Sequence, residues 1–404
     1  MRSSYSPYID VERRKTAVVA GHFCVDILPA MDQVPTGEFF QLFTPGQLIE
    51  TGMMQMATGG TASNTGISLT KLGIPTRIVA KVGDDAFGEI ARGIVNTVVA
   101  DENCQLIQSD DSSTSYTVII NPPGIDRIFL HHPGVNDTFT AEDINEQHLT
   151  GAVLLHYGYP QLMKRMYQHN GEEMLALFHK AKSLGLTTSM DTTMPDPSSE
   201  MGRVDWNTIL KKVLPLVDIY TPSFEEAFFM LEPEEYHRAK LAKLAGNDTN
   251  EKTALRIVNK LLRYGAKIVL LKMGEQGAML AVSSSINQVN FGSAWFEGLA
   301  DWAGKILWTP VFEVEVVGTT GAGDATVAGF IASLFHEMSA EQALTMAAAV
   351  GACNVEALDS TSGIQSWSST VERIINGWQK VSLLPESENW LWSPENQIWK
   401  YSSD

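Results

Sequence analysis

Residues 311–335, VFEVEVVGTTGAGDATVAGFIASLF, hold the side chains and glycines of this chain best suited to chemistry. Glycines 318, 321 and 323 free the backbone to turn tightly, so that the N–H groups of Gly321, Ala322 and Gly323 converge into a concave nest for an anion. The spacing predicts a strand running into this turn and a buried helix from Ala325 to Phe335, whose dipole adds positive potential at the same end. Asp324 stands in the first helical turn. A proton acceptor beside an anion site is what transfer of a phosphoryl group to an alcohol requires. Two other glycine-loop readings fail on the letters. A dinucleotide fingerprint needs Gly or Ala where Thr326 stands, and a Walker A loop fails at Gly304-Lys305, which Ile306 follows and no correctly placed glycine precedes. Taken alone, the motif also fits a tight turn in which Asp324 merely caps a helix.

A second segment, residues 58–88, TGGTASNTGISLTKLGIPTRIVAKVGDDAFG, places paired glycines, an Asn and a Gly-Asp-Asp turn within one strand-helix-strand unit. Gly59 and Gly60 permit close backbone approach. Asn64 offers both a donor and an acceptor, suited to the vicinal hydroxyls of a sugar.

These residues need a scaffold, and the hydrophobic pattern supplies one. Residues 16–31 read as a buried strand that delivers Asp26 just past its apolar stretch, and residues 31–58 as short extended pieces. A helix from about Ala62 to Leu72 is closed by Gly73, and another begins near Asp85. SYTVIINPPGIDRIFLHH reads as a hairpin that could serve as a lid. Strand and helix signals then alternate through GAVLLHYG, LTTSMD, DIYTPS and AKIVLLKMG, which builds a parallel sheet with helices on both faces and gathers ligands at the strands' carboxyl ends. Residues 232–251 and 283–312 read as insertions, and the Trp-rich tail SENWLWSPENQIWK as packing on the body.

At 404 residues and 44% hydrophobic, the chain is long enough to bury a large core. A formal net charge of −18 argues against nucleic-acid binding, which needs clustered Lys and Arg. A nucleotide can still bind through local backbone N–H groups. Cys24, Cys104 and Cys353 are odd in number and far apart, which argues against disulfides and fits a reducing cytoplasm. The polar N-terminus, followed by an apolar run broken at Gly21, His22 and Asp26, leads to the expectation of a protein neither exported nor in a membrane.

Together the two motifs resemble, in letters, order and spacing, the two signature regions of the ribokinase-like (PfkB) carbohydrate kinase family, over residues 16–363. The resemblance implies an α/β fold: a ribokinase-like three-layer sandwich with a mainly parallel central sheet and a small β lid. It implies one kinase domain over 1–404, with lid segments near 31–58 and 104–134. It further implies ATP and Mg²⁺ as cofactors, Asp324 as the base, Gly321, Ala322 and Gly323 as the anion hole, and Asp26, Gly59, Gly60 and Asn64 as the grip on the sugar. In TPSFEEA the family usually has Asn where Ser223 stands, and its acid falls on Glu226, which helps organise Mg²⁺ and phosphate. Lys272, Gly274 and Gly277 match the part that lies along the nucleotide, with Lys272 where a small hydroxyl residue is common; it contacts phosphate or points to solvent. Gly318 replaces an Asp that helps hold a monovalent cation in some members, which argues against potassium activation. The lid, RIFLHHPGVN, would exclude water and commonly pairs between subunits, so a homodimer is expected. His131 and His132 are neighbours on a strand and so point to opposite faces, which argues against a metal pair.

Nucleoside and vitamin kinases of the same fold are the nearest rivals, and would call for an aromatic shelf from Phe23, Phe39, Phe40 or Phe129. A catalytically silent sugar-binding protein is the rival of another class, motivated by Gly318 and Ser223.

Overall fold

The computed structural model describes residues 15–31, 44–46, 48–121, 128–244 and 250–402. The strands are β1 (Thr16–Gly21), β2 (Cys24–Pro29), β3 (Met54–Gly59), β4 (Thr76–Gly83), β5 (Cys104–Ser109), β6 (Tyr116–Ile120), β7 (Ile128–His132), β8 (Ala152–Gly158), β9 (Thr187–Asp191), β10 (Ile219–Tyr220), β11 (Ile268–Lys272), β12 (Ala278–Val282), β13 (Ile306–Thr309), β14 (Trp390–Ser393) and β15 (Ile398–Tyr401). Eleven of them form one sheet in the order β14-β15-β13-β12-β11-β10-β9-β8-β1-β4-β5. From β11 to β5 every pairing is parallel, and from β11 to β14 every pairing is antiparallel.

Alternation along the central strands divides the core into two layers. In β1, Val18 and Ala20 face the helices Lys164–Ser183, Trp206–Val213, Phe224–Leu231 and Asn250–Arg263, while Ala17 and Val19 face Thr61–Lys71, Ala322–Phe335 and Ala340–Asn354. β11 repeats this, with Val269 and Leu271 on the first face and Ile268 and Leu270 on the second. The result is a three-layer sandwich, as expected for strands buried on both sides.

A second, four-stranded sheet has the order β3-β2-β6-β7. Here the structure corrects the sequence reading. The run from Thr16 is two strands, and the chain leaves the large sheet after Gly21 to enter the small one at Cys24. Gly21 has φ 127° and its Cα faces the Gly158 carbonyl, where a Cβ would stand only 2.3 Å away. The small sheet therefore includes β2, whereas β5, expected in the lid by the boundary at 104, pairs with β4 at the edge of the large sheet. Much of residues 31–58 and the turn of the predicted hairpin lie outside the described residues, but β6 and β7 are its antiparallel arms.

Residues 311–317 do not form the predicted strand. The alternating Phe-Glu-Val-Glu-Val pattern finds only an isolated bridge, Phe312 to Lys380, flanked by backbone bonds between residues 311–313 and 379–381. β15 comes from the Trp-rich tail, which packs back through Trp390 against Trp308, with ring centroids 5.5 Å apart. Residues 283–312, read as an insertion, supply β13 and bury Trp302, and residues 233–244 form a helix whose Tyr236 packs on Phe228 and Phe229. No helix among the described residues is long and apolar enough to cross a membrane.

The helix Ala322–Phe335, which carries Asp324, crosses Ala340–Asn354 at Gly329, where a Cβ would stand 2.8 Å from the Met346 carbonyl oxygen. Gly329→Ala gains about 1 kcal/mol of helix propensity but overpacks the crossing at a cost of about 1–3 kcal/mol. Urea denaturation of this variant is expected to report a net loss of stability; a gain would show that the crossing relaxes freely.

Candidate active site

Parallel strands aim their carboxyl ends at one edge of the sheet, and the polar residues of interest follow those ends. β1 delivers His22, β8 delivers Tyr159, β9 ends on Asp191 and β11 on Lys272, while Ser223 and Glu226 follow β10. The chain winds outward from β1 to β4 and β5, then returns to β8 on the other side of β1, so the change of direction falls between His22 and Tyr159.

Asp324 is buried, with 2% of its surface exposed, so its lone pairs must be met by donors. Thr65 Oγ1 donates to Oδ1 at 3.2 Å, while Asn64 Nδ2 and Tyr159 Oη donate to Oδ2 at 3.0 and 2.9 Å. Ser360 Oγ donates to Asn64 Oδ1 at 2.9 Å and fixes that amide's orientation. Burial, reinforced by the charge of Asp191, raises the Asp324 carboxyl to about 6, against the opposing pull of Asn64, Lys272 and Tyr159.

Gly321 caps the helix with φ 74°, and Ser360 leaves no room there for a side chain. The N–H groups of Gly321 and Gly323 precede any intrahelical carbonyl, so an anion can use them. The expectation for Ala322 needs amendment, because its N–H makes a long 3.3 Å bond back to the Thr319 carbonyl.

Lys272 settles beside this turn. Its Nζ lies 3.4 Å from where a Cβ on Gly323 would be, and it donates to both oxygens of Asp191 at 2.7 and 3.0 Å. It does not point to solvent: its place is a buried ion pair, with side chains 12% and 0% exposed. Burial opposes the ammonium, but the carboxylates of Asp191 and Glu226 outweigh it and hold Lys272 protonated. Glu226 closes a capping box with Ser223, accepting from the Ser223 N–H at 2.8 Å and from Thr192 Oγ1 at 3.0 Å. Burial raises the Glu226 carboxyl to about 7, against the pull of Lys272.

On the lid side, Asp26 packs against Gly59, where a Cβ would fall 2.3 Å from Oδ2, and burial lifts its carboxyl to about 6. His22 lies against Gly60, with His131 and Tyr159 at ring-centroid distances of 5.4 and 6.3 Å. Both ring nitrogens of His22 are buried without a partner among the described residues, and burial, with His131 adding, lowers its pKa to about 3, so the ring is neutral. His131 Nδ1 meets Thr117 Oγ1 and His132 Nε2 meets Ser113 Oγ, so the two take different partners.

The structure thus gathers Asp324, Gly321, Gly323, Asn64 and Lys272 at one point, with Asp26, Gly59 and Gly60 on the side of the small sheet. Gly274 and Gly277 lie in the turn between β11 and β12, both at positive φ, and Gly277 is there because the Thr309 carbonyl leaves no space for a Cβ. Phe23 is wholly buried and cannot serve as an exposed shelf, while Phe39 and Phe40 lie outside the described residues. Sequence reasoning missed Thr65, Tyr159, Asp191, Ser360 and His22. For Tyr159 and Asp191 a signal existed, since both stand at the carboxyl ends of predicted strands.

Comparison with known proteins bears on the family and the fold. The family described as pfkB family carbohydrate kinase matches residues 19–367. An ATP-dependent ribose-1-phosphate kinase of Halopiger xanaduensis is 24% identical over 335 residues, 82% of this chain and 89% of that protein. Fructokinase-1 of Zea mays is 25% identical over 333 residues, 81% of this chain and 86% of that protein. Among solved structures, a fructokinase from Xylella fastidiosa with bound ATP superimposes with a TM-score of 0.65 at 17% identity, over 90% of this chain and 99% of that one.

The Lys272–Asp191 pair makes a direct test of the site's electrostatics. Asp191→Ala, which strands a buried ammonium, is expected to cost about 3–5 kcal/mol in urea denaturation. Combining Asp191→Leu with Lys272→Met should recover most of that loss, because no unpaired charge remains. Equal instability of single and double variants would mean that packing, not the charge pair, sets the cost.

Proposed function

The chain belongs to the PfkB family of carbohydrate kinases, and on that premise we propose that it transfers the γ-phosphoryl group of ATP to a hydroxyl of a neutral sugar or sugar-like acceptor. The observation that carries this reading is a buried carboxylate, Asp324, in the same helical turn as the leading N–H groups of Gly321 and Gly323, with Lys272 beside it. Asp324 takes the proton of the acceptor hydroxyl as that oxygen bonds the γ-phosphorus and the bond to the ADP oxygen breaks. Asn64 and Thr65 hold the carboxylate in line. The N–H groups and Lys272 meet the negative charge that spreads over the transferring group. Lys272 is the member of this set that a backbone nest alone would lack.

A divalent cation fits the donors present. Mg²⁺ prefers one or two carboxylates together with substrate phosphates, and Glu226 is a buried carboxylate close to Lys272 and Asp191. Glu226 is the carboxylate that would hold it, and the ion would supply neutralisation of phosphate charge. The exposed apolar side chains Val316, Val317 and Leu358, on segments joined by the Val317 N–H to Val355 carbonyl bond, offer a surface for a flat base.

The acceptor side favours a neutral substrate. Asp26 and Asp324 are acidic, and His22 is held uncharged, so a phosphorylated sugar would meet repulsion there. The burial of Phe23 removes one stacking surface that a nucleoside would use, while Phe129 on β7 keeps 54% of its surface exposed. A panel of sugars, sugar phosphates and nucleosides with coupled ADP detection is expected to show turnover of a neutral sugar, and preference for a phosphorylated one would overturn the acceptor assignment.

Asp324→Asn should lower kcat by about two to four orders of magnitude, the usual worth of a general base. Turnover unchanged in that variant would favour a catalytically silent sugar-binding protein. The pH dependence follows from the raised carboxyl. Since the base must be ionised and protonates as pH drops through about 6, kcat/KM should fall on the acid side of about pH 6.

A further inference from the structure

We propose that the Tyr159 hydroxyl is a placeholder for the acceptor: it occupies the base while the site lacks a substrate, and the incoming alcohol displaces it. This inference rests on the kinase reading of the site.

Tyr159 Oη lies 2.9 Å from Asp324 Oδ2, within the distance at which an acceptor hydroxyl must approach its general base. Oδ2 also accepts from Asn64, so its capacity is filled, and an alcohol seeking that oxygen must evict one of the two. The two are not equally held. Asn64 and Thr65 are buried in the helix Thr61–Lys71, and Asn64 is further tied to Ser360. Tyr159 is part-exposed, follows the last residue of β8, and stands on the lid side beside His22. It is the displaceable partner.

The backbone supports the same conclusion. Tyr159 adopts φ 61° and ψ 45°, a left-handed conformation that is unfavourable for a residue with a side chain and sits directly before Pro160, which disfavours helical geometry in its predecessor. Strain of this kind is retained where a side chain must be aimed. Burial, with Asp324 and Asp191 adding, pushes the phenol well above its ordinary range, so the hydroxyl stays protonated and can only donate to the carboxylate.

The placeholder has a chemical purpose. Without it, water could bond Asp324, attack the γ-phosphorus and break the bond to the ADP oxygen, with its proton passing to the carboxylate and ADP and inorganic phosphate released. A phenol held on the base excludes water from that position until an acceptor with enough other contacts replaces it.

Tyr159→Phe tests this in the full-length enzyme, with Tyr159→Gly as a second variant that suits the same backbone conformation. Loss of a hydrogen bond to a charged group is expected to raise acceptor-independent ADP release and to lower the acceptor KM, each by about tenfold, with kcat retained. The acid limb of kcat/KM, which reports the free enzyme, should move to higher pH because a bond favouring the ionised carboxylate is gone. The limb of kcat should stay where it is, since the bound acceptor has already displaced the phenol. Unchanged ADP release and KM, or a fall in kcat at constant KM, would overturn the placeholder role. If the wild-type enzyme turns over no acceptor at all, it is the kinase reading that fails.

Discussion

A carboxylate withdrawn from water must find donors within the protein or give up its charge, and that constraint at Asp324 organises everything around it. Three side chains donate to it, from two different elements, and a fourth, Ser360, fixes one of the donors. Even so, burial leaves the carboxyl raised to about 6, which keeps it mostly ionised at neutral pH yet basic enough to take a proton. A fully exposed aspartate would be a weaker base, and one with no donors would stay protonated.

The same constraint accounts for Lys272. A chain of net charge −18 would repel a polyphosphate unless positive potential were concentrated locally. On the proposed kinase reading, the leading N–H groups of a helix would provide part of it, and a lysine pinned by Asp191 beside Gly323 would add to it. Burying the lysine without Asp191 would be costly, so the pair has to be considered as one element. Its negative member in turn raises the Asp324 carboxyl, which links the ion pair to the proton affinity of that carboxylate.

Geometry at the sheet's edge makes these contacts available. Gly21 and Gly158 let β1 and β8 end in close backbone contact, and the residues that follow them, His22 and Tyr159, stand side by side at the carboxyl edge of the large sheet. The small sheet then brings Asp26 and His131 toward the same edge, from strands that belong to neither layer of the main core.

Local pattern was enough for much of this. The GTTGAGD turn, its helix, the paired glycines at 59 and 60, and the alternation of strands and helices were legible because turn geometry, helix periodicity and the two-residue period of strands are written in neighbouring letters. The family resemblance rested on those same residues. What the letters could not supply was pairing between distant segments. Residues 311–317 carry a strand's alternation and form none, and their one bridge is to Lys380, while β13 just before them pairs with a strand from the tail. Thr65 and Ser360 are unremarkable in sequence, Tyr159 is marked only by its place at the end of a predicted strand, and only folding brings the three from separate places onto one network. Sequence by itself determined which groups could do the chemistry; the tertiary structure decided which lone pairs they would share, since burial and hydrogen bonding depend on atoms that the chain order keeps far apart.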